Sequence, residues 1–152
     1  MVAPVVKRIL APVGFDSDRD ADLGYAIALA AQLRAELLLL AVIDTSATVT
    51  LIGKHRQTKR SAPDFEKALH DEVEGILQQM VDRAAAAGVQ ALGHLKFSEE
   101  VEEQILKEAL VQKVDLILVH SHGRSGLMKT LLGSTAGEIL KAAPCPVLVS
   151  RA

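Results

Sequence analysis

Apolar positions along this chain fall into short dense runs separated by longer stretches in which they recur every three or four residues. Residues 5–13 form the first run, apolar except for Lys7 and Arg8. A continuous run of this kind suits a strand buried on both faces, as in a parallel sheet. Residues 19–34 follow with Leu23, Ile27, Ala30 and Ala31 at helical spacing, and with Asp16 or Asp18 placed to cap the helix start. The second dense run, residues 36–43, contains four consecutive leucines. Residues 64–87 read as a long helix stopped by Gly88, and residues 89–97 as a third strand weakened by Gly93 and His94. Ser98 is placed as an N-cap, with Glu99 and Glu100 suited to the positive end of a helix that runs to about Lys113. Residues 115–120 form a fourth strand, residues 134–143 a last helix, and Val147, Leu148 and Val149 a fifth strand.

Strands that alternate with helices predict an α/β fold: a doubly wound, five-stranded parallel sheet with helices on both faces, of the Rossmann-like nucleotide-binding kind. Ligands of such sheets sit beyond the carboxyl ends of the strands, where strand order reverses. That rule gathers residues 12–16, 42–44 and 120–134 at one end. Residues 44–63 break the pattern. They are polar, hold Gly53 and a basic stretch (Lys54, His55, Arg56, Lys59, Arg60), and read as a variable exposed loop within a single domain spanning 1–152.

Composition changes this picture little. The chain is 49% apolar with only 3% aromatic residues, so its core must be built from Ala, Leu, Ile and Val. A formal charge of −2 offers no footprint for nucleic acid or an anionic membrane. One cysteine, Cys145, excludes an intrachain disulfide, and its place between two prolines before a strand reads as a packed, inert thiol. No run reaches membrane-spanning length, and a cytoplasmic location is the default expectation. Glu66, Glu72, Glu74 and Asp82 read as a solvated helix face, with Lys67 and Arg83 as partners.

The chemistry concentrates between Leu116 and Val149. An apolar strand runs into a glycine-punctuated loop, and Gly133, Ser134 and Thr135 open the next helix. Glycines let a backbone approach a ligand closely, and the N–H groups of a helix start hold phosphate. The segment from Gly123 to Thr130 falls short of a phosphate loop of the Gly-x4-Gly-Lys-Thr type, because Met128 stands where the second glycine is needed. No Gly-x-Gly-x-x-Gly fingerprint follows the first strand either. His120 and His122 share one side of extended backbone, which is metal-ligand spacing without a completing cysteine or carboxylate nearby in sequence.

Ser121-His122-Gly123, nine intervening residues, Gly133-Ser134, and then Pro144-Cys145-Pro146-Val147-Leu148-Val149 resemble the universal stress protein family, whose nucleotide-binding pattern is Gly-x2-Gly-x9-Gly-Ser/Thr. The likeness extends to ILAPVGFD at the first strand and VDLILVHSHGRSG at the fourth. It implies an ATP site in which Gly123, Gly133, Ser134 and Thr135 hold phosphates, with Ser121 and Arg124 alongside. It also implies that Pro12 and Val13 wall the base, that Val42 supplies backbone contacts to adenine, and that Mg²⁺ or Mn²⁺ bridges phosphate oxygens. A homodimer through residues 147–149 is implied as well. Two positions depart from the ATP-binding version: His120 replaces the first glycine, and Gly14 replaces an aspartate that contacts the adenosine part, with Asp16 two residues further on. At His120 the imidazole must either block a nucleotide or turn toward it. The chain shows no nucleophile–base pair, so a dedicated enzyme is not expected. Two other readings stand beside the nucleotide-binding regulatory module: a dimeric interaction protein of the same fold that has lost the nucleotide, and a nucleotide hydrolase or metal enzyme using His120 and His122.

Overall fold

The computed structural model describes residues 2–15, 19–45, 62–120 and 141–150. In chain order they form β1 (Arg8–Pro12), α1 (Arg19–Leu33), β2 (Glu36–Asp44), α2 (Ala62–Ala86), β3 (Ala91–Ser98), α3 (Val101–Val111), β4 (Leu116–His120) and β5 (Val147–Ser150). All pairings are parallel and the strand order is β3-β2-β1-β4-β5. The expected five-stranded parallel sheet is therefore present, and its order reverses between β1 and β4. Of the last helix, only Lys141 and Ala142 fall in helical backbone among the described residues. Most of the 44–63 loop lies outside them.

The leucine run of β2 shows why these strands are apolar throughout. Leu37, Leu39 and Ala41 enter one core with Ile9, Ala11 and Leu118, under α1 (Leu23, Ala26, Ile27, Ala30) and α2 (Val73, Leu77, Met80, Ala84). Leu38 and Leu40 enter a second core with Leu10, Ile117 and Val119, under α3 (Ile105, Ala109). Alternation along a strand sends successive side chains to opposite faces, and both faces are covered.

β1 is shorter than its apolar run. Val5 is 84% exposed. Pairing with β2 begins at Arg8↔Glu36 and pairing with β4 at Ile9↔Leu116, and just before them the Lys7 carbonyl accepts from the Glu36 N–H (2.9 Å). Polar contacts tie this end of the sheet. Arg8 donates from Nε and Nη2 to Glu36 Oε2 (3.0 and 2.9 Å) and from Nη1 to the Gln112 carbonyl (2.7 Å). Asp115 accepts from the backbone N–H groups of Lys7 and Arg8.

All three described helices end in one way. Arg34, Gly88 and Lys113 have φ of 54°, 80° and 53°. The next N–H in each case reaches back to a helix carbonyl: Ala35 to Ala30, Val89 to Ala84, Val114 to Ala109. This is the Schellman arrangement, and the residues at both ends of each such bond are buried, which supplies its usual apolar contact. Gly88 stops α2 as expected; the same device at Arg34 and Lys113 carries no glycine to announce it. Ser98 ends β3 instead of capping α3. Its hydroxyl accepts from the Glu100 N–H (3.0 Å), and Glu100 is the N-cap, without a side-chain cap bond. The Glu100 carboxyl is held above its ordinary range by hydrogen bonding to, and repulsion from, Glu103.

β3 is an edge strand, and its weakening residues each have a packing role. A Cβ at Gly93 would sit 3.3 Å from Leu77 Cβ, so the missing side chain lets α2 settle onto the sheet. His94 Nδ1 and Lys96 Nζ lie 3.4 and 3.6 Å from the Glu108 carboxylate, whose side chain is only 6% exposed. The acidic face of α2 is solvated as expected, but Arg83 reaches across to Asp20 of α1 (3.8 Å).

Candidate functional site

The carboxyl ends of β1 and β4 close a small cavity against the first turns of α1. It is lined by Pro12, Val13, Gly14, Arg19, Asp22, Leu23 and His120, among others, and holds about 20 Å³. That is room for one water-sized group, not for a ring.

His120 continues the face of β4 that carries Leu116 and Leu118, and so points toward α1. Its Nδ1 lies 3.5 Å from Asp22 Oδ1, with the two side chains 10% and 25% exposed. The Tyr25 ring meets the imidazole edge-on, centroids 5.9 Å apart and planes at 85°. Asp22 sits in the first turn of α1, where the helix dipole favours a carboxylate. Sequence reading passed over Asp22 and Tyr25. Their only signal was helical spacing, which places positions 22 and 25 on one face of α1.

The backbone of Val42 faces the same end of the sheet. Its side chain packs with the second core, on the far face from His120. β1 pairs with β2 as far as Pro12↔Leu40, and Val13 N–H then donates to the Leu40 carbonyl at 2.8 Å. β2 continues to Asp44. Backbone groups of a strand alternate sides, so those of Val42 point the same way as those of Leu40, past the end of β1 and into the crevice. An N–H beside a C=O on such an edge matches the donor–acceptor edge of adenine.

The structure thus brings Pro12, Val13, Gly14, Val42 and His120 to one end of the sheet, at the point of strand reversal. Ser121, Gly123, Arg124, Gly133, Ser134 and Thr135, the expected phosphate side, lie outside the described residues, as does His122. Among the described residues no three His, Cys, Asp or Glu side chains converge on a metal position. A larger concavity of about 190 Å³ lies at the opposite end, among Arg8, Glu36, Leu38, Leu92 and Gln112. Its one cation, Arg8, is already spent on Glu36 and the Gln112 carbonyl. Volume alone would choose it; strand direction favours the smaller site.

Comparison with known proteins agrees with this architecture. The sequence model described as the universal stress protein family matches residues 6–151. Universal stress protein YxiE of Bacillus subtilis is 33% identical over 150 residues, covering 95% of this chain and 98% of that protein. Among solved structures, protein MJ0577, a universal stress protein of Methanocaldococcus jannaschii, superposes with a TM-score of 0.73 at 24% identity, covering 97% of both chains. A universal stress protein of Archaeoglobus fulgidus, solved in complex with dAMP, gives 0.61 at 17% identity, covering 97% of this chain and 99% of that one. At these identities the two structures speak for the fold.

Proposed function

Because the chain belongs to the universal stress protein family, we propose that it is a cytoplasmic regulatory module of the stress response that binds an adenine nucleotide, ATP, at the carboxyl end of its sheet. The observation that carries this reading is the crevice at the β1/β4 reversal, where β2 outruns β1 and turns the Val42 backbone toward the space beside Pro12, Val13 and Gly14. The dAMP complex of the Archaeoglobus fulgidus relative supports an adenine ligand. Phosphates would then extend toward Ser121, Gly123, Arg124 and the Gly133-Ser134-Thr135 amides. Mg²⁺ or Mn²⁺ would be held by phosphate oxygens, as the family resemblance implies. In this reading the module is regulatory, and any ATP hydrolysis would be slow.

Titration of the protein with ATP and Mg²⁺ by calorimetry, with mass spectrometry of nucleotide retained through purification, tests the reading. Saturable one-to-one binding is expected. A chain that neither retains nor binds any adenine nucleotide would instead be the interaction protein of the same fold. The observation favouring that second reading is His120, a bulky ring where the family pattern has glycine.

A further inference from the structure

We infer that Asp22, positioned by His120, recognises the ribose of the bound nucleotide, its carboxylate accepting a hydrogen bond from a sugar hydroxyl. This rests on the nucleotide-binding reading above and names the residue that reads the sugar. Gly14 lines the cavity without a side chain to offer, whereas Asp22 reaches the same cavity from α1. The space between Asp22, His120 and residues 12–14, about 20 Å³, fits a hydroxyl or a water and excludes a phosphate by size. A hydroxyl donates to a carboxylate, and dinucleotide-binding sheets read ribose with an acidic side chain by this same chemistry. Arg19 also lines the cavity, but its Nε lies 4.0 Å from Asp20 and so faces a different carboxylate.

His120 acts through Asp22. Its Nδ1, 3.5 Å away, is placed to donate to the carboxylate, and Tyr25 packs edge-on against the ring. The residue that replaces the family glycine thereby holds the acid that replaces the family aspartate.

Calorimetric titrations of the full chain with ATP and with 2′,3′-dideoxy-ATP, both with Mg²⁺, test this. Wild type should prefer ATP by about tenfold, or about 1.4 kcal/mol. Asp22→Ala should bind both nucleotides equally, at the affinity wild type shows for the dideoxy form. Asp22→Asn, which fills the same space, should lose most of the preference and serves if the alanine variant does not fold. His120→Ala should reduce the preference to about threefold, roughly half the free energy. His120→Gln, whose amide can still donate to Asp22, should recover it. A merely structural role would weaken both nucleotides alike. The inference is overturned if the Asp22 variants keep the preference, or if Asp16→Ala abolishes it instead. Equal binding of both nucleotides by wild type would overturn it while leaving nucleotide binding intact; no binding of either would remove both.

Discussion

Cys145 shows how one side chain is set by its surroundings. It packs beside Ala143 and Val147 against the second core and is partly buried. Burial, and then the nearby Asp115 carboxylate, push its thiol above the ordinary range, because both disfavour the thiolate. At pH 8 its reaction with a disulfide reagent should be about tenfold slower than in the denatured chain. Labelling at the denatured rate would contradict the packed-thiol reading. The sign for stability follows by linkage. Above the ordinary thiol pKa the unfolded chain has lost a proton that the native state keeps, so stability falls as pH rises through that window. Gly93 is a second residue set by its neighbours. With Leu77 Cβ 3.3 Å from where its own Cβ would stand, Gly93→Val must push α2 off the sheet, at a cost of about 1–3 kcal/mol in urea unfolding. A neutral result would mean that α2 has slack there.

Among the elements, the three helix ends offer a paired test. A left-handed backbone costs a residue with a Cβ about 1–2 kcal/mol, and glycine almost nothing. Arg34→Gly and Lys113→Gly should therefore each stabilise the protein by about 0.5–1 kcal/mol, after the loss of a cation from the negative helix end is subtracted. Gly88→Ala should destabilise by about 1 kcal/mol. Urea midpoints for the three variants check this; a destabilised Arg34→Gly would show that its guanidinium matters more than its φ. The recurrence of the device has a topological cause. Each helix must turn at once into the next strand, and the residue after the left-handed one (Ala35, Val89, Val114) is already buried.

For the whole molecule, β5 is the edge that bears on assembly. It is the outer strand of the sheet beyond β4, and Val149 is 39% exposed. An edge strand with an apolar flank favours association. The proposed homodimer through Val147, Leu148 and Val149 should sediment as a dimer at micromolar concentration. Val147→Lys or Leu148→Pro should shift it to monomer. Unchanged sedimentation of both variants, or a wild type that is monomeric throughout, would put the interface elsewhere or nowhere. The other edge, β3, is less inviting, since His94 and Lys96 place polar and charged groups along it, tied to Glu108.

The sequence by itself determined the layered architecture. Dense apolar runs such as residues 37–41 can be satisfied only by burial on both faces, and helical spacing between them supplies the cover. It also marked Pro12, Val13, Gly14, Val42 and His120, because the carboxyl ends of parallel strands converge wherever strand order reverses. What it could not carry were contacts between residues far apart in the chain. Asp22 and His120 are 98 positions apart by their numbers, and no local period links them; only the crossing of α1 over the end of β4 makes them neighbours. Glu108 reads as one more charge on a polar helix until β3 is laid beside α3. Arg34 and Lys113 look like ordinary surface cations until the chain must turn sharply into a strand. Patterns of burial repeat along a chain and can be read from it. Pairings between side chains depend on which faces meet, and only the tertiary structure decides that.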